Sequence, residues 1–291
     1  FIALFPHLVA GPVLRYHLLA EQFHHRVHSW SNFSRGCTIF MVGFCKKVLI
    51  ADTVAPLADA AFAIKNPSMM DAWLGTIAYT IQLFFDFSGY TDMAIGLALM
   101  IGFVFPQNFN DPYTSKSITE FWQRWHMSLS SWLREYLYIP LGGNKKGTRR
   151  TYINLFLTML LGGLWHGANW TFVVWGAWHG GILAIERYLK SKFGDSILPS
   201  WLRIIKTMLL VMIGWIFFRA IDLNNALQML RGLIGLNGFN FSNMMQWQIE
   251  PDRLGILFVA IFLVYAMPWL HRYRGGPMRY LLIPLFFWAV A

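Results

Sequence analysis

Acidic side chains are scarce here: 14 Asp and Glu stand among 291 residues, and the four charged types together make up only 13% of the chain. A globular domain carries about twice that share, so an ordinary solvated surface is excluded. Cysteine is nearly missing as well. Cys37 and Cys45 both sit in one apolar segment, at a spacing that matches no metal or redox motif, and read as packing residues. The chain contains no G-x-S-x-G elbow, no H-E-x-x-H pair and no Walker-type phosphate loop. An acyl-enzyme serine, a zinc catalyst and a nucleotide cradle therefore have no support.

What fills the chain instead is apolar surface, with 56% hydrophobic and 17% aromatic residues. A soluble fold could not hide so much. Several stretches reach the roughly 20 residues needed to cross about 30 Å of hydrocarbon, so lipid is read as the main solvent. The expected fold is all-α and polytopic, with spans near 34–52, 72–88, 91–105, 151–165, 169–188, 204–219 and 254–270, and part of another from about 280. Residues 1–291 are taken as one membrane-embedded domain. Because the chain opens on Phe1 and stops inside the apolar run 281–291, it reads as a piece truncated at both ends.

A net charge of +10 would point to nucleic acid in a soluble protein. Here Lys and Arg cluster in short loops, as the positive-inside rule requires, and no nucleic-acid partner is expected. If 151–188 is a helical hairpin, the basic loops at Lys145 to Arg150, Arg187 to Lys206 and Arg272 to Arg279 fall on one, cytoplasmic side. The sparsely basic connection 222–252 then falls on the other. A helix expected over 118–138 carries Glu120, Arg124, Arg134 and Glu135 among Trp and Leu, which suits an oblique or interfacial position.

Four places could carry chemistry. In Gly162-Gly163-Leu164-Trp165-His166-Gly167-Ala168-Asn169-Trp170, His166 lies about 24 Å along a helix from the basic loop at Arg150. An imidazole at that depth suits removal of a proton from a hydroxyl, and the small residues around it leave space. On the residues alone, a histidine satisfied by hydrogen bonds inside a tight hairpin is an equal alternative. The second place is Phe121 to Ser130, containing Trp125, His126 and Ser128, where aromatic residues recur at helical spacing and a structural role for His126 is favoured. Third come Asp86 and Asp92, acids between apolar runs, expected to pair with Lys46 or Arg124 and to hold helices together. Fourth is the turn Pro140 to Gly147, whose Lys145 and Lys146 suit an anionic donor such as a coenzyme A thioester. His179 is read as packing.

Taken together, the strings FFDFSGYTDMAIG, WQRWHMSLSSWLREYLYIPLGGNKKG and LLGGLWHGANWTFVVWGAWHG resemble the membrane-bound O-acyltransferases. The likeness is to the bacterial branch that includes the alginate O-acetyltransferase membrane subunit and the D-alanyl transfer protein of teichoic acid synthesis, with FPHLVAGPVLRY favouring the former. The resemblance implies a ring of transmembrane helices around a central tunnel, with His166 essential and His126 as a second prominent position. It implies no tightly bound cofactor and no metal, but an acyl thioester such as acetyl-CoA as donor. Trp165, Asn169, Trp125, Ser128, Lys145 and Lys146 are the expected substrate-binding residues, with Asn169 or Trp165 as an oxyanion donor. It further implies the bacterial inner membrane, membrane lipid, and periplasmic acetyltransferase partners that modify a polysaccharide, most plausibly alginate. D-alanyl transfer is the alternative within the family; a transporter or flippase is the alternative outside it, although no matched pair of interrupted segments is present.

Overall fold

The computed structural model describes residues 1–8, 11–270 and 285–290, and every regular element among them is helical. In chain order these are α1 (Tyr16–His24), α2 (Trp30–Cys45), α3 (Thr53–Ala63), α4 (Met69–Met100), α5 (Ile118–Arg124), α6 (Met127–Leu133), α7 (Thr148–His166), α8 (Trp170–Phe193), α9 (Ser200–Arg219), α10 (Leu223–Leu233), α11 (Asn243–Gln246) and α12 (Pro251–Leu270). Wider π turns at Lys46–Asp52 and Arg134–Tyr138 join α2 to α3 and close α6.

α4 is the longest element, 32 residues or about 48 Å. It starts at a capping box: the Ser68 hydroxyl accepts from the Asp71 N–H, and the Asp71 carboxylate accepts from the Ser68 N–H, each at 3.2 Å. Two spans, 72–88 and 91–105, were expected here, divided at the polar string around Gly89; one uninterrupted helix stands in their place. The helix continues because its polar side chains are satisfied locally. The Thr91 hydroxyl donates to the carbonyls of Phe87 and Ser88 at 3.1 Å, and the two aspartates find cations on the neighbouring helix.

That neighbour is α2, which runs antiparallel to α4 on a seam of glycines. A Cβ at Gly43 would lie 2.5 Å from the Gly89 carbonyl oxygen, and one at Gly36 would lie 2.7 Å from that of Gly96. Backbones can approach this closely only without side chains between them. Past the seam, Lys46 Nζ meets Asp92 at 2.6 Å and Lys47 Nζ meets Asp86 at 2.7 Å. The expected ion pairing of the two acids is present, with Lys46 in its expected place; Arg124 instead binds Glu120 at 2.6 Å.

The α7 and α8 hairpin forms as expected. Its two arms touch through glycine, since a Cβ on Gly163 would meet the Phe172 carbonyl oxygen at 2.3 Å and one on Gly176 the Met159 oxygen at 2.6 Å. The Asn169 side-chain amide donates to the Ile221 carbonyl at 2.9 Å. The end of α9 is thus tied to the hairpin turn, at the far end of α7 from the Lys145 to Arg150 loop. The Arg272 to Arg279 loop lies outside the described residues, as do residues 281–284 and 291 of the last apolar run; residues 285–290 are helical.

The expected single helix over 118–138 is broken instead. Trp125 is extended and His126 left-handed, at φ 43°, so α5 and α6 are separate. The periodicity survives the break because Trp125, Leu129 and Leu133 all still turn inward. The main core gathers α3, α4, α5, α8, α9 and α12 around Phe84, Tyr113, Phe121, Trp125, Trp175 and Trp215. A smaller one packs Leu14 and Leu19 against Ala98, Phe103 and Phe105. Among the described residues, α9 alone is long and apolar enough to cross a bilayer by length and composition; α4 and α8 carry paired charges or buried histidine within their length.

Filling the α2–α4 seam tests the packing. Gly89→Leu is expected to destabilise the protein by about 1–3 kcal/mol and lower its thermal midpoint in detergent. An unchanged midpoint would show that the two backbones do not meet there.

Candidate active site

His166 is the last residue of α7, and what surrounds its ring is aromatic. Ring centroids lie at 5.0 Å to Phe218, 5.1 Å to Trp165, 5.2 Å to Trp175 and 6.1 Å to Phe172. The contacts to Trp165, Trp175 and Phe218 are edge-to-face, a geometry that aromatic quadrupoles favour. The imidazole is only partly buried, and among the described residues no hydrogen bond holds either nitrogen. The histidine is therefore neither satisfied inside the hairpin nor sealed away.

Behind it, the aromatic residues form a continuous wall. Phe218 contacts Trp215 at 5.8 Å, and Trp215 contacts Trp125 at 5.0 Å. Trp125 adjoins His126, whose ring packs edge-on against Phe87 at 4.7 Å. His179 lies deeper, completely buried, between Trp175 and Trp122 at 5.2 Å each. Its Nδ1 accepts from the Trp122 indole at 3.4 Å, while its Nε2 faces Gly214 without a partner. The packing role expected of His179 matches this burial.

The expected binding residues divide. Trp165 is 63% exposed beside His166, and among the described residues its indole N–H has no hydrogen-bond partner. Asn169 is held by structure: its Oδ1 accepts from the Thr171 N–H at 3.1 Å as the cap of α8, and its amide reaches Ile221. Trp125 is buried between Phe121 and Tyr113, stacked at 5.5 and 5.8 Å, and Ser128 is buried beside His126, so neither presents an open surface. Lys145 and Lys146 are exposed in the turn before α7, at the opposite end of that 19-residue helix from His166. An apolar cavity of about 200 Å³ lies elsewhere, lined by Ile77, Thr80, Tyr113, Met208 and Tyr265 among others; no expected site residue borders it.

One residue that sequence reasoning passed over organises the second histidine. Asn108, buried in the loop before α5, contacts His126 Nδ1 at 3.2 Å and the Ser128 hydroxyl at 2.8 Å. The available signal was a lone amide pair, Gln107-Asn108, inside the aromatic stretch 103–109. Glu186 was also missed: from α8 it accepts the Ile118 and Thr119 N–H groups at 2.9 and 3.0 Å and so anchors the start of α5.

The profile of the membrane-bound O-acyltransferase family matches residues 1–230, which carry both histidines and the whole α7–α8 hairpin. The chain belongs to that family. It is 54% identical to a protein of Azotobacter vinelandii named "probable alginate O-acetylase AlgI", over 96% of this chain and 55% of that protein. A Pseudomonas aeruginosa protein of the same name is 55% identical over 96% of this chain and 53% of its own length. A peptidoglycan O-acetyltransferase of Helicobacter pylori is 40% identical over 92% of this chain and 52% of its own length. The chain thus spans about half the length of the curated relatives it matches. Family membership removes the ground from the transporter alternative.

The cap role of Asn169 is directly testable. Asn169→Ala should cost about 1 kcal/mol of stability, most of which Asn169→Ser restores. An alanine variant as stable as the parent would show that the side chain does not hold the start of α8.

Proposed function

We propose that the chain carries the catalytic part of a multi-pass O-acyltransferase of the bacterial inner membrane. It passes an acetyl group from a cytoplasmic thioester, such as acetyl-CoA, towards O-acetylation of an extracytoplasmic polysaccharide. The observation that carries this reading is His166: an imidazole that makes no hydrogen bond among the described residues, partly open, at the end of α7 remote from the basic loop. In this reading the domain 1–291 is a ring of helices around a passage, with Lys145 and Lys146 at the cytoplasmic mouth and His166 deep within. Long α4 and the α7–α8 pair form part of the wall.

The chemistry follows from the charge that must move. A hydroxyl attacks the thioester carbonyl while a His166 nitrogen takes its proton, so that oxygen bonds to carbon as the alkoxide forms. The tetrahedral intermediate carries a negative oxygen, to which the indole N–H of Trp165, exposed and in contact with the His166 ring, can donate. Asn169, occupied as a cap, is the weaker choice. Collapse breaks the carbon–sulfur bond, and the proton passes from the imidazolium to the leaving thiolate. A thioester is already activated, so general-base help and positioning are sufficient, and no metal or covalent serine is required.

Alginate is the polymer favoured by the names of the relatives at 54% and 55% identity. The teichoic acid D-alanyltransferase of Bacillus subtilis, at 30% over 65% of the chain, stands further off. The immediate acceptor is then a hydroxyl on a periplasmic acetyltransferase partner, which completes transfer to the polymer.

His166→Ala, made in the full-length protein, is expected to lower thioester-dependent acetyl transfer by about 10² to 10⁴ while membrane insertion is kept. Transfer at the parental rate would overturn the reading.

A further inference from the structure

His126 is one of two described non-glycine residues with positive φ. A left-handed backbone costs such a residue roughly 1–3 kcal/mol and persists only where its surroundings impose it. The surroundings are Asn108. Its backbone carbonyl accepts the Met127 N–H at 2.9 Å, and its side-chain Oδ1 accepts the Ser128 N–H at 3.1 Å and the Ser128 hydroxyl at 2.8 Å. The same oxygen lies 3.2 Å from His126 Nδ1.

The protons in this cluster can be assigned by elimination. A backbone N–H only donates, so the atom of Asn108 facing Ser128 N is the oxygen and not the amide nitrogen. The Ser128 hydroxyl accepts from the Val13 N–H at 2.9 Å and has one hydrogen, which goes to Asn108 Oδ1. Both groups facing His126 Nδ1, Asn108 Oδ1 at 3.2 Å and Ser128 Oγ at 3.4 Å, are thereby acceptors. Nδ1 must carry the hydrogen. A neutral imidazole protonated there has its lone pair on Nε2, and among the described residues no protein group bonds to that atom.

We propose that Asn108 is a positioning residue: with Ser128 it locks His126 in the Nδ1–H tautomer and leaves Nε2 as a free base, next to the aromatic wall that also holds His166. A second observation points away from a purely structural role. The Asn108 amide nitrogen is buried without a partner, which costs about 1–3 kcal/mol and which an aspartate accepting the same bonds would avoid. The uncharged amide oxygen orients the ring without fixing a positive charge on it. The consequence for catalysis rests on the acyl-transfer reading; the tautomer does not. In that setting the bare Nε2 is the atom of His126 that can accept a proton, and Nδ1–H remains bonded to Asn108 throughout.

The test separates the two. Full-length protein labelled with ¹⁵N-histidine is reconstituted in nanodiscs at neutral pH, and the His126 signals are identified by their loss in His126→Gln. A protonated Nδ1 with a bare Nε2 is expected in the parent; Asn108→Asp keeps the hydrogen on Nδ1, and Asn108→Leu loses it to a mixture of tautomers. In thioester-dependent transfer, Asn108→Leu should lower kcat by at least about tenfold with KM for the thioester unchanged, and Asn108→Asp should recover part of it. A hydrogen on Nε2, or on both nitrogens, in the parent protein overturns the proposal, and this holds even where the leucine variant does not fold. An intact tautomer together with full transfer by His166→Ala would overturn the acyl-transfer reading alone.

Discussion

The aromatic wall that runs from Phe172 and Trp175 through Phe218 and Trp215 to Trp125 is what the site depends on. Rings of this size bury a large area each and gain about 0.5–1.5 kcal/mol per well-oriented pair beyond it. They can therefore hold an imidazole in place without hydrogen-bonding to it. A histidine fixed by a carboxylate or carbonyl would have one nitrogen occupied in advance; His166, held by ring edges and faces, keeps both. The wall also joins His166 on α7 to His126 at the α5–α6 break, elements far apart in sequence, so one packed surface sets the position of both.

Everything else in the fold serves to hold that wall. The glycine seam lets α2 lie directly on α4, and the Lys46–Asp92 and Lys47–Asp86 pairs fix how the two helices are placed along each other. In an apolar surrounding, an unpaired charge at these positions would be costly, so the register with both pairs made is strongly preferred. α4 in turn supplies Phe84 and Phe87 to the wall's inner face. Glu186 on α8 holds the start of α5, and through it Trp122 and Trp125. Arg15 pairs with Glu135, which ties the opening segment to the π turn after α6.

Legibility in the sequence followed how local the cause was. The α7–α8 hairpin could be read because its glycines, its turn and its histidine sit in one string of nine residues, 162–170. Pairing of Asp86 and Asp92 was readable from cost alone, since acids between apolar runs need cations, although Lys47 was not singled out for Asp86. The continuity of α4 was not legible: Ser88-Gly89-Tyr90 looks like a break until Gly43 is seen pressed against it. Nor was the interruption at His126, because the inward spacing of Trp125, Leu129 and Leu133 is the same with or without it. That break is imposed by Asn108, whose contacts with His126 and Ser128 span 18 and 20 residues of sequence.

In the proposed function His166 stands where a thioester and a hydroxyl meet. The decisive measurement is a structure of the full-length protein with a non-hydrolysable thioether analogue of the acyl donor. The acyl group is expected within about 4 Å of the His166 ring, at the near-attack separation that transfer requires, with the charged end of the donor towards Lys145 and Lys146. An analogue bound away from His166, or a ring closed off from it by protein, would overturn that assignment.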